Sequence, residues 1–170
     1  MFTNSTSVKD VGYFDDISFK QLTFSSLLSL LSVSCSDVFL SVSATRNASA
    51  VQVGLALNWD SASNPANGVL IYLDGPNIVI AKCVAGTWSN VASPIYTYSA
   101  GASLVVAKNG SEYRVYYNNA FIVAVTISDA GIVNNTLHGM FSTDASNTLD
   151  DFVCYATGSG GEYAELDKWS

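Results

Sequence analysis

Residues 104–127 read LVVAKNGSEYRVYYNNAFIVAVTI. The pairs Asn109-Gly110 and Asn118-Asn119 separate three apolar and aromatic runs in this stretch. Type I′ turns need positive φ at both central residues, which Asn, Asp and Gly tolerate best, and their twist matches that of paired strands. Asp74-Gly75 separates two further apolar runs in the same way. The pattern therefore predicts an antiparallel β-meander.

Strands are also predicted outside the meander. In residues 51–59 the odd-numbered positions share one face of a strand, which predicts Trp59 in the core. Residues 23–36 mix leucines with serines, and this mixture favours an extended or irregular connection over a helix. Other runs predict strands at residues 11–22, 38–45, 87–91, 96–98, 137–142 and 149–156.

The composition is polar but weakly charged. Charged residues make up 12% of the chain, hydrophobic residues 49%, and the net charge is −7. Such a surface is typical of extracellular β-proteins, lectins and viral shell or fibre proteins. Nucleic acid binding requires a basic stripe that neutralises phosphates, and the Lys and Arg residues form no cluster. Neither nucleic acid nor an anionic membrane surface is therefore expected as a partner.

Targeting and membrane segments are not predicted. Residues 1–16 lack the basic start and apolar run of a signal peptide. The apolar stretch 22–33 is shorter than the roughly 20 residues that span a bilayer, so no membrane insertion is expected. A lectin-like surface without a secretion signal indicates either a domain of a longer chain or a protein released by lysis, such as a virion protein.

Three cysteines, Cys35, Cys83 and Cys154, share no spacing typical of a metal site. Two interpretations of them stay open. The first is three free thiols packed as small hydrophobic side chains, and the second is one disulfide with one free thiol.

Four segments belong together by their order and spacing. They are GLALNWD at residues 54–60, IAKCVAGTW at 80–88, the hairpin at 104–117, and HGMF followed by LDDF between 138 and 152. Together they resemble the concanavalin A-like lectin/glucanase superfamily in its laminin-G-like form. The resemblance covers residues 38–156 and implies an all-β fold, a jelly-roll sandwich of two antiparallel sheets. Such domains recur in secreted sugar-active proteins and in phage and other virion surface proteins.

The chain divides into three parts. Residues 1–22 are predicted to form an N-terminal arm and strand, residues 23–157 the jelly-roll sandwich, and residues 158–170 a glycine-hinged C-terminal tail. Phe14-Asp15-Asp16 near the start resembles Leu149-Asp150-Asp151 near the end. This match is either chance or a sign that the first strand lies beside, or substitutes for, the terminal strand.

Catalytic residues are not predicted, and the chain is expected to have no enzyme activity. Sugar cleavage needs two carboxyl groups that flank the bond, and the glucanase relatives carry them as E-x-D-x-x-E on one strand. No strand here has that pattern, and the adjacent Asp150 and Asp151 are expected on opposite strand faces. The three glutamates lie beside a hairpin and in the tail: Glu112, Glu162 and Glu165.

A glycan site would need exposed aromatic faces, for stacking on sugar C–H groups, with amide or carboxylate groups beside them. Arg114 and Tyr116 alternate with three predicted core residues, so they are expected to point outward. The candidate carbohydrate-binding residues are Trp59, Asp60, Asn64, Asn67, Trp88, Arg114 and Tyr116.

Calcium is the only cofactor for which the sequence offers candidate ligands. This ion prefers oxygen ligands from loop carboxylates, amides and carbonyls. The polar loop after Trp59 supplies candidate ligands in Asp60 and Asn64, with Asp74 from the hairpin. The alternative interpretation is that this polar loop is only a turn, in which case the chain binds no cofactor.

Two functions follow as hypotheses. The first is a non-catalytic surface module of a virion, of phage type, or of another extracellular particle, which acts in assembly or decoration and in glycan contact. In that case the two arms would bind neighbouring virion or surface subunits, and a homo-oligomer or larger assembly is expected. The alternative is a carbohydrate-binding module of a secreted bacterial protein. The candidate arm contacts are Tyr13, Phe14, Phe19, Tyr163 and Trp169.

Overall fold

Two antiparallel β-sheets make up the protein. The structure, a computed structural model, describes residues 12–13 and 27–157. Its strands are β1 (Gly12–Tyr13), β2 (Leu27–Ser32), β3 (Val38–Thr45), β4 (Val53–Trp59), β5 (Gly68–Asp74), β6 (Asn77–Val84), β7 (Thr87–Ala92), β8 (Ala102–Asn109), β9 (Glu112–Tyr117), β10 (Ala120–Thr126), β11 (Leu137–Ser142) and β12 (Thr148–Ala156). No helix among these residues is long and apolar enough to cross a membrane.

Sheet A has the strand order β1-β12-β3-β8-β9-β10, and sheet B has the order β2-β11-β4-β5-β6-β7. All ten strand pairs in the two sheets are antiparallel. The predicted all-β, two-sheet jelly roll is therefore confirmed. Residues 23–36, for which an extended or irregular connection was predicted, contain the strand β2. The strand predicted at residues 96–98 is not formed; its neighbour Ile95 makes a single β-bridge with Asn77.

The hairpin turns follow the predicted chemistry with a shift at two of them. Asn118-Asn119 has φ of 49° and 64° and lies at the predicted type I′ turn. The other two turns are centred on Gly75-Pro76 and Gly110-Ser111. The predicted turn centres, Asp74-Gly75 and Asn109-Gly110, are therefore each one residue too early. The proline ring fixes a negative φ, so at the first of these turns the positive φ falls on the glycine in front of it, as in a type II′ turn.

The N-terminal strand lies beside the C-terminal strand. Gly12 pairs with Cys154 and Tyr13 pairs with Val153, as the repeated Asp-pair motif suggested. The two aspartates of β12 do not alternate as predicted, because Asp151 has φ of +52° and the ladder with β3 contains a bulge there. Both Asp150 and Asp151 are exposed.

All three cysteines are free thiols, so the disulfide interpretation is wrong. Cys83 and Cys154 are buried, and Cys35 is half-buried. Burial raises the pKa of Cys154 to about 12, which keeps this thiol protonated and unreactive at neutral pH.

The main core lies between the sheets. Val53, Leu55 and Leu57 of β4 are fully buried against Leu40 and Val42 of β3 and their neighbours. Each fully buried aliphatic side chain of this kind stabilises the fold by about 1.5–3 kcal/mol relative to exposure.

A buried polar cluster closes one end of this core, which we call the Asn58 end. Asn58 Oδ1 accepts from the Tyr113 hydroxyl at 2.9 Å, and Asn58 Nδ2 donates to Asn135 O at 2.7 Å. His138 Nδ1 accepts from Asn58 N–H at 3.3 Å, so His138 Nε2 carries the proton and donates to Cys35 O at 3.0 Å. Because buried polar groups cost free energy unless they are bonded, this cluster fixes how the strands meet.

Acid should destabilise the fold through His138. Burial lowers the pKa of this histidine from 6.5 to about 4. A lowered histidine pKa contributes stability that is complete above pH 6.5 and is lost as the pH falls toward 4, because the unfolded chain takes up the proton first. We expect a loss of about 2 kcal/mol between pH 7 and pH 5, measured by urea unfolding. His138→Gln should flatten this part of the profile, and an unchanged slope would refute the assignment.

Two buried tyrosines should respond differently to loss of their hydroxyl groups. The Tyr113 hydroxyl bonds Asn58, whereas the Tyr96 hydroxyl has no hydrogen-bond partner among the described residues. Tyr113→Phe leaves a buried amide oxygen without its donor and should cost about 1–3 kcal/mol. Tyr96→Phe should be nearly neutral in the same urea titration. Equal losses in the two variants would contradict this description of the core.

Candidate functional site

The candidate site begins at the end of β4, where the side chains stop alternating regularly between the two faces of the sheet. Asn58 has φ of +50°, and the ladder with β11 passes from Gly139↔Ala56 to Leu137↔Trp59. One extra residue therefore lies in β4, and a bulge of this kind reverses the side-chain faces beyond it. Trp59, which was predicted in the core, instead lies on the outer face of sheet B, the face that points away from sheet A.

Trp59 supports a second, exposed tryptophan. The two rings of Trp59 and Trp88 lie 5.8 Å apart between centroids, at an interplanar angle of 55°. Trp59 Nε1 donates to Val69 O at 3.2 Å, which fixes the buried ring. Trp59 is 3% exposed and Trp88 is 50% exposed. The pair therefore presents one indole to solvent on a rigid support.

The centre of the outer face of sheet B is apolar and closed. Ala56, Leu70, Cys83 and Phe141 form a cluster with Trp59, and none of them is more than 8% exposed. The edge strand β7 differs, because its first four residues, Thr87 to Asn90, are all exposed. A ligand that approaches this face from solvent therefore meets the β7 edge.

The loop of residues 60–67 is held by its own side chains. Asp60 Oδ1 accepts from Ala66 N–H at 3.0 Å, and Asp60 Oδ2 accepts from Asn67 Nδ2 at 2.7 Å. Asn67 Oδ1 accepts from Ala85 N–H at 2.8 Å, which ties the loop to the turn between β6 and β7. Burial alone would raise the pKa of Asp60, but the hydrogen bonds from Ala66 and Asn67 lower it below its ordinary value. Asp60 is therefore an ionised residue that shapes the loop.

Seven residues were predicted to form a carbohydrate site, and the structure groups only some of them. Trp59, Asp60, Asn67 and Trp88 lie on the connected segment formed by the end of β4, its loop and the β6–β7 hairpin. Asn64 lies in the same loop and is exposed, with its N–H on Ser61 Oγ at 3.1 Å.

Arg114 and Tyr116 belong to the other sheet. Both lie on β9 of sheet A, where Arg114 Nε donates to Glu112 Oε2 at 3.1 Å and Tyr116 packs against Phe121 with centroids 5.5 Å apart. Arg114 is exposed and Tyr116 is half-buried, in agreement with their predicted outward direction, and their strand belongs to the opposite sheet from that of Trp88.

The candidate calcium ligands do not come together. Asp60 and Asn64 lie in the loop before β5, whereas Asp74 is the last residue of β5. A strand of this length separates its ends by roughly 20 Å, and Asp74 Oδ2 accepts from Gln52 Nε2 at 3.1 Å. Within residues 12–13 and 27–157, no group of three or more His, Cys, Asp or Glu side chains could hold a metal ion.

The candidate arm contacts are outside the described part of the chain, with one exception. Phe14, Phe19, Tyr163 and Trp169 lie outside the described residues, and Tyr13 is described only through its backbone pairing in β1.

Sequence reasoning missed Asn90. It lies two residues after Trp88 on β7, so the two side chains share a face of the strand, and Asn90 is exposed opposite the buried Ala81. The two-residue spacing between Trp88 and Asn90 could have predicted that the Asn90 amide lies beside the tryptophan ring. The bulge that turns Trp59 to the outer face had only a weak signal in the sequence, namely an Asn, which tolerates positive φ.

No protein-family model matches the sequence, and no curated protein matches it. Solved structures do resemble the fold. The carbohydrate binding module CBM66 from Bacillus subtilis is 15% identical with a TM-score of 0.54, over 81% of this chain and 86% of that one. Sheep galectin-11 is 13% identical with a TM-score of 0.57, over 74% of this chain and 96% of that one.

A third likeness is to one part of a larger protein. The GH43 protein BlXynB from Bacillus licheniformis is 15% identical with a TM-score of 0.51, over 71% of this chain but 28% of that one. At these identities the comparisons establish the fold, a concanavalin A-like jelly roll, and they give no support to a phage or virion type.

Gly68→Ala should displace the tryptophan pair. A Cβ at Gly68 would overlap the Trp59 indole, so we expect a loss of about 1–3 kcal/mol in unfolding free energy and a shift in tryptophan emission. Gly110→Ala is the control, because its Cβ meets nothing within 4 Å and only its φ of +57° is strained. That control should lose about 1–2 kcal/mol without a change in emission. The same emission from Gly68→Ala and the parent protein would contradict the described packing.

Proposed function

We propose that this chain is a non-catalytic carbohydrate-binding module that holds a glycan against Trp88, at the β7 edge of sheet B. The observation that carries the proposal is the 50% exposure of Trp88 beside an otherwise closed apolar face. A rigid indole offers a large amphipathic contact surface and loses little conformational entropy on binding. The fold of a module whose name states carbohydrate binding supports the class of function.

The surroundings of Trp88 fit a neutral, hydroxyl-rich ligand. Asn90, on the same strand and the same face as Trp88, is exposed and offers an amide that can donate and accept hydrogen bonds. The loop of residues 60–67 is tied to the turn in front of Trp88. Binding would therefore need little rearrangement, which favours affinity.

Absence of catalysis is part of the proposal. Glycoside hydrolysis needs a carboxylic acid that is protonated at working pH together with a second carboxylate. Asp60, the carboxylate adjacent to Trp59, has a lowered pKa and accepts hydrogen bonds at both oxygens. It is therefore unsuited to act as a general acid.

The proposal follows the second of the two functional hypotheses. The first hypothesis, a virion or surface assembly module, has no support from the comparisons with solved structures. A carbohydrate-binding module has the support of the fold and of the exposed tryptophan.

A glycan array followed by calorimetric titration tests the proposal. The full chain should bind at least one glycan saturably, and Trp88→Ala should weaken that binding by tenfold or more. Phe121→Ala is the matched control, because Phe121 is also an exposed aromatic residue, 58% exposed, but lies on sheet A. Binding that survives Trp88→Ala, or that Phe121→Ala removes, would overturn the assignment of the site.

A further inference from the structure

A pocket opens at the Asn58 end of the sandwich, on the sheet A side. Its volume is about 270 Å³. It lies between the β2–β3 connection, the β8–β9 turn and the connection from β10 to β11. Its lining residues are Ser36, Asp37, Lys108, Gly110, Ser111, Ser128, Val133 and Asn134.

An ion pair with one buried partner forms part of the pocket wall. Lys108 Nζ lies 2.7 Å from Asp37 Oδ1, and the side chains are 1% and 20% exposed. Lys108 Nζ also donates to Val133 O at 2.8 Å, and Gly110 N–H donates to Asp37 Oδ1 at 3.0 Å. Hydrogen bonds of the pair thus join the β2–β3 connection, the β8–β9 turn and the β10–β11 connection.

The hydrogen-bonding capacity of this pair is not used up. An ammonium group has three N–H donors, and Lys108 donates two of them to described residues. Asp37 Oδ1 accepts two hydrogen bonds, whereas Asp37 Oδ2 accepts none from any described residue. One N–H donor of Lys108 and one acceptor oxygen of Asp37 are therefore not used by the described residues, and both residues line the pocket.

We propose that this pocket binds a single neutral sugar ring or a similar small polyol, through the Lys108–Asp37 pair and the surrounding hydroxyl and amide groups. A hydroxyl group both donates and accepts, so a pair of neighbouring sugar hydroxyls matches the adjacent donor and acceptor. The serine hydroxyls and the Asn134 amide supply further groups of both kinds.

Charge and size disfavour single ions and larger ligands. Lys108 and Asp37 neutralise each other, so an anion would face the carboxylate and a cation would face the ammonium group. The net charge of −7 disfavours anions further. The volume lies below the roughly 300–1,000 Å³ of pockets for larger organic ligands, which suits one ring rather than a chain of them.

This proposal does not rest on the proposed role of Trp88. The pocket shares no lining residue with the Trp59–Trp88 pair. Either site could bind sugar if the other did not, and the experiment must separate them.

Amide NMR spectra of the full chain during sugar titration test the pocket. The probes are D-glucose, D-galactose, D-mannose and myo-inositol, each raised to roughly 50 mM, with D-galacturonate as the charged comparison. The amides of Gly110, Ser111, Ser128 and Asn134 are the reporters. At least one neutral probe should shift them saturably, and galacturonate should not.

Variants decide where the ligand lies. Ser128→Trp places a bulky ring at the pocket rim, and the double variant Lys108→Met with Asp37→Asn removes both charges at nearly constant volume; each should weaken binding by tenfold or more. The double variant avoids leaving one buried charge unpaired, and thermal melts check that both variants fold. Ser146→Trp, at an exposed position at the opposite end, is the matched control and should bind as the parent does.

Three results would overturn the pocket assignment. They are no saturable shift of the four reporters with any neutral probe, shifts that persist in both pocket variants, and loss of the shifts in Trp88→Ala. Failure of the glycan array alone would instead count against the role of Trp88, because the reporter amides follow the pocket independently.

Discussion

One residue in a left-handed backbone conformation, Asn58, determines both faces of sheet B at the end where the candidate sites lie. Its φ of +50° inserts an extra residue into β4 and turns Trp59 to the outer face. Asn is one of the few residues other than Gly that adopt this conformation readily. The same bulge points the Asn58 side chain into the core, where its amide bonds Tyr113 and Asn135. A buried amide is tolerated only when its polar atoms are satisfied, so the outward tryptophan and the inward polar cluster depend on each other.

The outer face of sheet B shows why exposure, and not aromatic content, indicates a contact site. Tyr72 and Phe141 pack together in the closed apolar centre, with ring centroids 5.5 Å apart. Among the described residues of this face, only Trp88, at the edge, combines broad exposure with a fixed support. Edge strands carry unpaired backbone groups, so β7 also offers N–H and C=O groups that a central strand has already used. On this face of sheet B, the groups that could contact a sugar are therefore concentrated at β7.

Most of the fold was predictable from local turn chemistry and strand periodicity, because both depend on few neighbours. Asn118-Asn119 and Val38–Thr45 are examples of each. Two of the errors arose where a third residue decided the geometry. Pro76 moved the first hairpin turn by one residue, and the Asn58 bulge moved Trp59 to the other face. The grouping of Asp60 with Asp74 failed for a different reason, since strand length separates residues that lie close in sequence. Trp88 and Asn67 could be predicted from the sequence as candidate site residues. The pocket at Asp37 could not be predicted, because its residues come from three connections that are distant in sequence.

The two candidate sites have complementary chemistry. An indole surface provides stacking area but fixes orientation only weakly, and apolar contact discriminates poorly between ligands that differ by one hydroxyl. A pocket with paired donors and acceptors discriminates well, because a wrong ligand leaves buried polar groups unsatisfied. The Lys108–Asp37 pair has the character that the second role requires. Of the three ion pairs among residues 27–157, it alone has a cation that is 1% exposed, whereas the cations of Lys82–Asp129 and Arg114–Glu112 are 30% and 51% exposed. A buried charge is a costly way to join strands that apolar packing could join, so the proposed role of this pair in recognition offers a reason for its presence that stability alone does not.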